Sequence, residues 1–300
     1  MNALNRSTLA VALGVSLQQI ASAQLQLVPA KDVPLLYIHH HVYASNIDAQ
    51  MKFWVAMLGA TPVGKFPNSQ IEVVKFRNLF VSLTPQTPTG GTKGSTVNHV
   101  GFQVPDIRAM VERLKAAGYP IITRAEVSSG VEVKDDLAYI ADQHTHIAYV
   151  MAPDEIKVEF LENRSMDVPI LSHHVHFAAP DVEQMKAWYV TLFGAKPGTR
   201  GSFQAADIPG VNLTFSPAPG AVVPTRGRAL DHIGIEIKNL DQFCKDLEAR
   251  GIKLDRPYSK SASTSFGSAI MTDPWGTRVE LTEGYEGLFP RSARTDARQP

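Results

Sequence analysis

The sequence predicts an α+β fold built from four repeated modules, each containing one strand, one helix and three further strands. Three observations support this prediction: a histidine in the first strand of each module, a helix cap after that strand, and a glycine that ends the helix. In every module the histidine lies seven residues before the cap. The histidine–cap pairs are His39–Asn46, His99–Asp106, His174–Asp181 and His232–Asn239. Such regular spacing indicates one structural unit used four times.

The helix of each module is predicted from its apolar spacing. In the first module, Ile47, Met51, Trp54 and Leu58 recur at helical intervals before Gly59. The other helices run from Asp106 to Gly118, from Asp181 to Gly194 and from Asn239 to Gly251. The first and third helices are one residue longer than the second and fourth, so odd and even modules form two types.

The connectors predict where the domains divide. Residues 84–91 and 216–220 are rich in proline and glycine, whereas 163–169 is short and polar. We interpret 163–169 as the interdomain linker. This gives a first domain at 34–165, a second at 170–286 and a flexible tail at 287–300.

The alternation of residues along the first strands predicts a lined cup. His99, Gly101 and Gln103 share one strand face, and the residues between them, all apolar, share the other. In the fourth module His232 and Gly234 repeat this pattern. One face is therefore polar with a glycine gap, and the opposite face is apolar enough to pack under helices.

Composition limits the possible partners. The 300 residues are 44% hydrophobic and 19% charged, with 29 basic and 29 acidic side chains. A chain without net charge has no field that favours nucleic acid or an anionic membrane, so a small molecule is the expected partner. The single Cys244 excludes an intrachain disulfide.

The first 23 residues predict a secretory signal peptide. Arg6 precedes a short apolar run at 9–17, and Ala21 and Ala23 form a small-x-small cleavage sequence. The mature protein is then expected in the periplasm or outside the cell, with no membrane association after cleavage. The alternative is an N-terminal helix that is buried or frayed; the run is too short to span a bilayer.

Two glutamates stand out in the closing strands of the even modules. Glu159 lies between Val158 and Phe160, and Glu280 occupies the same place in the fourth module. A carboxylate that points into a cup is costly to bury unless a cation or histidines accompany it.

With histidines on all four first strands and these two glutamates, residues 35–285 resemble the vicinal oxygen chelate (VOC) superfamily. This superfamily includes glyoxalase I, extradiol dioxygenases and bleomycin-binding proteins. The resemblance implies two open-barrel VOC domains, each made of two βαβββ modules around a divalent metal ion. It also implies ligands from the first strands of both modules and from a last strand.

If neighbouring modules pair, the implied ligand sets are His39, His99 and Glu159 in one domain and His174, His232 and Glu280 in the other. If the first module pairs with the fourth, one set becomes His39, His232 and Glu280. The remaining family position falls on Ser82 and Thr214, which are poor ligands. Two histidines and one carboxylate with open positions favour Fe(II), with Zn, Mn or Ni as alternatives.

Further site residues are implied near the second module's glutamate. Tyr149 precedes Glu159 by the spacing of the pocket tyrosine in extradiol dioxygenases. His144, with His146, is a candidate proton shuttle, the alternative being an ordinary loop histidine. His41 and His176 follow a ligand candidate by two residues and share its strand face.

Two functions follow from the resemblance. The first is a metal-dependent enzyme that acts on a small bidentate oxygen substrate, by extradiol-dioxygenase-like or glyoxalase-like isomerase or lyase chemistry. The second is a metal-free protein that sequesters a small molecule, as bleomycin-binding relatives do. Either would act as a monomer or homodimer.

Overall fold

The computed structural model describes residues 33–289 and contains two open sheets, one of eight strands and one of nine. The predicted signal peptide at 1–23 lies outside the described residues. Within residues 33–289, no helix has both the length and the apolar character needed to cross a membrane. The α+β class and the four modules are confirmed.

The eight-stranded sheet combines the first and fourth modules. The first module contains β1 (Leu35–Ala44), α1 (Ile47–Met51), a π-helical continuation (Lys52–Met57), β2 (Thr61–Lys65), β3 (Glu72–Phe76) and β4 (Leu79–Pro85). The fourth contains β14 (Leu230–Ile237), α5 (Leu240–Ala249), β15 (Leu254–Lys260), β16 (Gly267–Thr272) and β17 (Arg278–Glu283). The strand order is β15-β16-β17-β14-β1-β4-β3-β2.

The nine-stranded sheet combines the second and third modules. The second contains β5 (Val97–Val104), α2 (Ile107–Ala116), α3 (Thr123–Glu126), β6 (Val133–Lys134), β7 (Leu137–Ile140), β8 (Thr145–Ala152) and β9 (Ile156–Glu162). The third contains β10 (Leu171–Ala179), α4 (Val182–Phe193), β11 (Lys196–Arg200), β12 (Phe203–Ile208) and β13 (Val211–Pro217). The strand order is β11-β12-β13-β10-β5-β9-β8-β7-β6.

This arrangement corrects the predicted pairing of the modules. The first strands pair antiparallel across the modules, β1 with β14 and β10 with β5. The short joint 163–169 connects β9 to β10 within one sheet, so it is not an interdomain linker. The division into 34–165 and 170–286 therefore does not follow the sheets, because the first sheet takes strands from both ends of the chain.

The helices and the apolar strand faces form one shared core. Val100, Phe102 and Val104 are buried, as the alternation of the second module predicted. The ring of Phe102 lies 5.1 Å from the ring of Phe76 in the other sheet. The two sheets therefore pack through their apolar sides, and their polar faces point away from this core.

The predicted helix boundaries hold at most positions. The side chains of Asn46, Asp106 and Asp181 each accept a hydrogen bond from a backbone N–H in the first helical turn. Asn239 differs, because its backbone is left-handed and its side chain forms no cap bond. The four helix-ending glycines all have positive φ, which glycine adopts without strain.

The end of the fourth module extends further than predicted. A 3₁₀ turn covers Glu286–Leu288, and Phe289 is buried in an apolar cluster with Phe80 and Tyr285. Residues 287–289 are thus part of the packed structure, because these apolar side chains cover the polar face of the first sheet. Residues 290–300 lie outside the described part of the chain.

Candidate metal centres

Each sheet gathers histidines and one glutamate on its polar face. Cup one contains His39, His41, His232 and Glu280, and cup two contains His99, His174, His176 and Glu159. In each set, ligand-capable atoms lie within 4.8 Å of one another. Both cups therefore combine two first strands with one closing strand.

Glycines on the opposing strands make room for two of these rings. Gly234 faces His39, and Gly101 faces His174. A Cβ atom added at Gly234 would lie 2.0 Å from Cε1 of His39, and one at Gly101 would lie 2.0 Å from Cε1 of His174. The glycine on the polar face of each of these strands therefore provides the space for a histidine ring from the paired module.

In cup one, two imidazoles face a single carboxylate oxygen. Oε2 of Glu280 lies 3.3 Å from Nε2 of His39 and 3.4 Å from Nε2 of His232. Both Nε2 atoms are buried and neither forms a hydrogen bond. Ligand atoms that bind one ion at about 2.1 Å lie roughly 3.0 to 3.4 Å apart. The residues of cup one therefore fit a divalent metal ion held by His39, His232 and Glu280.

Neighbouring side chains hold these three groups in place. Nδ1 of His232 donates to Oδ1 of Asp231 at 2.5 Å, which directs Nε2 into the cup. Arg256 donates to Oε1 of Glu280 at 2.7 Å and leaves Oε2 to the histidines. The ring of Tyr285 stacks on His39, with centroids 4.6 Å apart and planes at 14°.

Two of the three groups of cup one have charges that suit a cation. Burial alone would raise the pKa of Glu280, but the nearby imidazoles of His232 and His39 bring this pKa well below its usual value. Burial lowers the pKa of His39. Glu280 is therefore an anion at neutral pH, and His39 is a neutral imidazole able to act as a ligand. In the third, His232, burial lowers the pKa, but the hydrogen bond to Asp231 and the charge of Glu280 raise it above its usual value, so a metal ion would displace a proton there.

Cup two places the same residue types in closer contact. Oε2 of Glu159 lies 2.9 Å from Nε2 of His99 and 2.9 Å from Nε2 of His174. Nδ1 of His99 donates to Oδ1 of Asn98 at 2.8 Å. Burial lowers the pKa of His99 to about 4, so this imidazole is neutral at pH 7.

An arginine enters cup two at the glutamate. The NH2 group of Arg200 lies 3.4 Å from Nε2 of His174 and 3.7 Å from Oε2 of Glu159. Its Nε donates to Oγ1 of Thr214 at 3.0 Å. Burial alone would raise the pKa of Glu159. Arg200 and the two histidines outweigh this effect and bring the pKa well below its usual value. Cup two therefore already contains a cation, which cup one lacks at this position.

The predicted ligand sets are corrected by the module pairing. Glu159 meets His99 as predicted, but His174 joins them in place of His39. Glu280 meets His232, and His39 joins them in place of His174. The alternative set His39, His232 and Glu280, expected if the first module pairs with the fourth, is the one the structure brings together.

The two predicted catalytic residues differ in their placement. Tyr149 lies in cup two with its ring 5.3 Å from His99, edge to face, and burial raises its pKa. His144 is exposed in a turn with φ 50° and lies outside both histidine–glutamate clusters. His146 also lies at the surface, where Nδ1 is 3.4 Å from Glu162. His144 follows the 3₁₀ turn and His146 lies in β8, and neither belongs to a histidine–glutamate cluster.

Three site residues were missed in the sequence, namely Arg200, Arg256 and Tyr285. No motif surrounds them. One signal was available for Arg200. It lies 19 residues after its helix cap, Asp181, and Lys65 lies 19 residues after the cap of the first module, Asn46. Comparing the odd modules at that position would have directed attention to a basic side chain.

Solved structures with similar folds include a glyoxalase I and a putative dioxygenase. Glyoxalase I from Zea mays is 18% identical, with a TM-score of 0.64, covering 85% of this chain and 94% of that one. A putative dioxygenase from Bacillus subtilis subsp. subtilis str. 168 is 14% identical, with a TM-score of 0.61, covering 87% of each chain. At these identities the likeness shows the fold alone.

Sequence comparison locates the family in both halves of the chain. No curated protein sequence matches. Two profiles, both described as Glyoxalase/Bleomycin resistance protein/Dioxygenase superfamily, match residues 38–139 and 170–281. Together with the four modules and the two open sheets, these matches show that the chain belongs to the glyoxalase/bleomycin resistance protein/dioxygenase superfamily.

Proposed function

We propose that cup one is the metal centre of a divalent-metal-dependent enzyme that acts on a small substrate with two adjacent oxygen atoms. One observation supports this most directly. Two buried imidazole nitrogens, Nε2 of His39 and Nε2 of His232, have no hydrogen-bond partner and face the ionised Glu280. Buried polar atoms are seldom left without a partner, and a metal ion would satisfy both nitrogens.

The metal, when bound, would act as a Lewis acid and as a template for the two substrate oxygens. Fe(II) is favoured because two histidines and one carboxylate leave positions open for ligands. Zn, Mn or Ni suit the same donors and would accompany isomerase or lyase chemistry.

The walls of cup one favour an aromatic or otherwise apolar substrate. Phe66, Phe80, Phe266 and Phe289 surround Tyr285, with ring centroids between 5.4 and 6.1 Å from the tyrosine ring. This cluster excludes water beside His39 and offers ring edges and faces for packing. A catechol-like compound is therefore a better candidate than a strongly charged conjugate.

His41 is the proposed proton acceptor in cup one. Its ring stacks on His232 at 4.2 Å, and its Nε2 lies 2.7 Å from Oγ1 of Thr84. Burial lowers the pKa of His41 well below its usual value, so the imidazole is neutral at pH 7. Such an imidazole is a weak base, so its role as acceptor requires that the metal, when bound, lowers the pKa of the substrate hydroxyl.

The cellular setting is also part of the proposal. A periplasmic or secreted enzyme, acting as a monomer or homodimer, is proposed from the predicted signal peptide and the absence of net charge.

The test compares turnover by wild type, Glu280→Gln and Glu159→Gln after reconstitution with each metal. Catechols under oxygen and α-hydroxyketones serve as probes. We expect turnover to fall by at least about 100-fold in Glu280→Gln, because the metal is lost, and to change by less than about threefold in Glu159→Gln.

Two results would contradict the proposal. Turnover that survives in Glu280→Gln and disappears in Glu159→Gln would move the centre to cup two. Tight binding of the probes by chelator-treated protein, without turnover under any metal, would support the sequestration function instead.

A further inference from the structure

We propose that Arg200 takes the position of a divalent cation in cup two and keeps this cup free of metal. The chain would then bind one metal ion, in cup one, although both cups offer two histidines and a glutamate.

The guanidinium lies against the atoms that a metal would need. His174 corresponds to His39, since each faces a glycine of the partner strand, and Glu159 corresponds to Glu280. In cup two, NH2 of Arg200 lies 3.4 Å from Nε2 of His174 and 3.7 Å from Oε2 of Glu159. A cation bound by these two atoms would stand within a few ångströms of a permanent positive charge.

Arg200 is fixed in this position. Its Nε donates to Thr214 at 3.0 Å and its NH1 group donates to Oε1 of Gln143 at 3.2 Å. The side chain is 10% exposed. Because the planar guanidinium is held at three points, it cannot yield to an incoming ion by a small rotation.

The basic residues around cup one are arranged differently. Lys65, at the position equivalent to Arg200, lies 3.3 Å from Glu72 and 3.0 Å from Gln70, with 49% of its side chain exposed. Arg256 reaches only Oε1 of Glu280 and is 48% exposed. Neither bonds to Nε2 of His39 or His232, or to Oε2 of Glu280, within the described residues, so no basic side chain occupies the position that Arg200 has in cup two.

A second buried ion pair, between Lys157 and Glu126, places another positive charge near cup two. Lys157 lies two residues before Glu159 on the same strand face and donates to Glu126 at 2.6 Å. Each of the two carboxylates, Glu126 and Glu159, therefore has its own cationic partner. A divalent ion would add positive charge beside these buried cations, whereas Arg256, the cation that bonds to Glu280 in cup one, is 48% exposed and is screened by water.

The experiment measures bound Co²⁺ in the full chain after chelator treatment and dialysis against Co²⁺ alone. We expect about one equivalent in wild type, about two in Arg200→Ser and about one in Arg200→Ser/Glu159→Gln. Arg108→Ser is the control, because it removes an arginine that pairs with Asp135 outside both cups, and it should stay at about one equivalent.

Further variants guard against misfolding. Arg200→Gln keeps most of the side-chain volume and should also gain an equivalent, whereas Arg200→Lys keeps the charge and should not. Near-UV circular dichroism reports whether each variant is folded. If the neutral variants do not fold, the glutamate variants provide the test. The inference is supported if wild type and Glu159→Gln each bind one equivalent of Co²⁺ and Glu280→Gln binds none.

The inference is overturned if folded Arg200→Ser and Arg200→Gln gain no Co²⁺, or if Glu159→Gln loses an equivalent that wild type binds. Failure of the proposed function gives a different pattern. Wild type would then bind no Co²⁺ in cup one, while Arg200→Ser would still gain an equivalent that Glu159→Gln removes.

Discussion

Cup one and cup two arise from the same pairing of first strands, with a histidine ring seated over a glycine in each. In cup one, the two Nε2 atoms that face Glu280 have no hydrogen-bond partner. In cup two, the equivalent atoms contact Glu159 at 2.9 Å and Arg200 stands beside them. We infer from this difference that the same ligand residues are not sufficient for a metal site, and that the charge placed next to them determines whether a cation binds.

The largest effect is expected at the two glycines. Gly234→Ala would force a Cβ into the ring of His39, destabilise the fold by about 3 kcal/mol and weaken Co²⁺ binding by at least about 100-fold. Gly101→Ala would disturb His174 and destabilise the fold to a similar extent, with Co²⁺ content unchanged. Urea unfolding and metal titration measure both. A loss of metal in Gly101→Ala would break the comparison between the cups.

A smaller difference is expected from the two glutamates when metal is removed. Glu159→Gln leaves Arg200 buried and without its carboxylate, which should destabilise the chelated protein by about 3 kcal/mol. Glu280→Gln leaves Arg256, which is 48% exposed, and should cost under about 1 kcal/mol. Both values come from urea unfolding in the presence of chelator. Equal losses would show that Arg200 contributes no buried ion pair.

The second ion pair of cup two makes a pH-dependent prediction. Burial raises the pKa of Glu126, but hydrogen bonds from Lys157 and Lys93 lower it below its usual value. A carboxyl group with a lowered folded-state pKa contributes stability above its unfolded pKa, and this stability is lost as the pH falls through the folded value.

Glu126→Gln should therefore destabilise the fold by about 2 kcal/mol at pH 7, less than a fully buried broken pair, because glutamine still accepts from Lys157. The difference from wild type should shrink below about pH 4.5 as Glu126 becomes protonated. Glu286→Gln, which breaks the exposed pair with Lys75, is the control and should change stability by under about 0.5 kcal/mol. A difference that persists undiminished at pH 3 would contradict this account.

The smallest effect is expected at the residues that orient the ring nitrogens. Asp231→Asn weakens the hold on Nδ1 of His232 and should reduce Co²⁺ affinity by about tenfold. Asn98→Ala removes the corresponding partner of His99 in cup two and should leave Co²⁺ affinity unchanged. Isothermal titration of both variants would sharpen the assignment, and a tenfold loss in Asn98→Ala would contradict it.

The local features of this chain could be predicted from its sequence, since caps, helix-ending glycines and strand alternation depend on near neighbours. His39, His99, His174 and His232 were found by their spacing, and Glu159 and Glu280 by their strands. The pairing of modules could not be found in this way. It depends on which first strands meet, β1 with β14 or with β5, and these alternatives have the same local patterns.

The residues that distinguish the cups were also beyond sequence reasoning. Arg200 reaches His174 and Glu159 across the sheet from β11, and Tyr285 reaches His39 from the turn after β17. Both are long-range contacts of residues without a motif. The position of His144 was also not predictable from sequence, because it lies at a left-handed position in a surface turn, outside both clusters.

The most direct test of this account is the anomalous scattering of crystals grown with Co²⁺. The account predicts one strong peak per chain, bound by Nε2 of His39, Nε2 of His232 and the carboxylate of Glu280 at about 2.1 Å. It predicts no peak between His99, His174 and Glu159, where Arg200 should remain in contact with the carboxylate. A peak in cup two, or no peak in cup one, would contradict it.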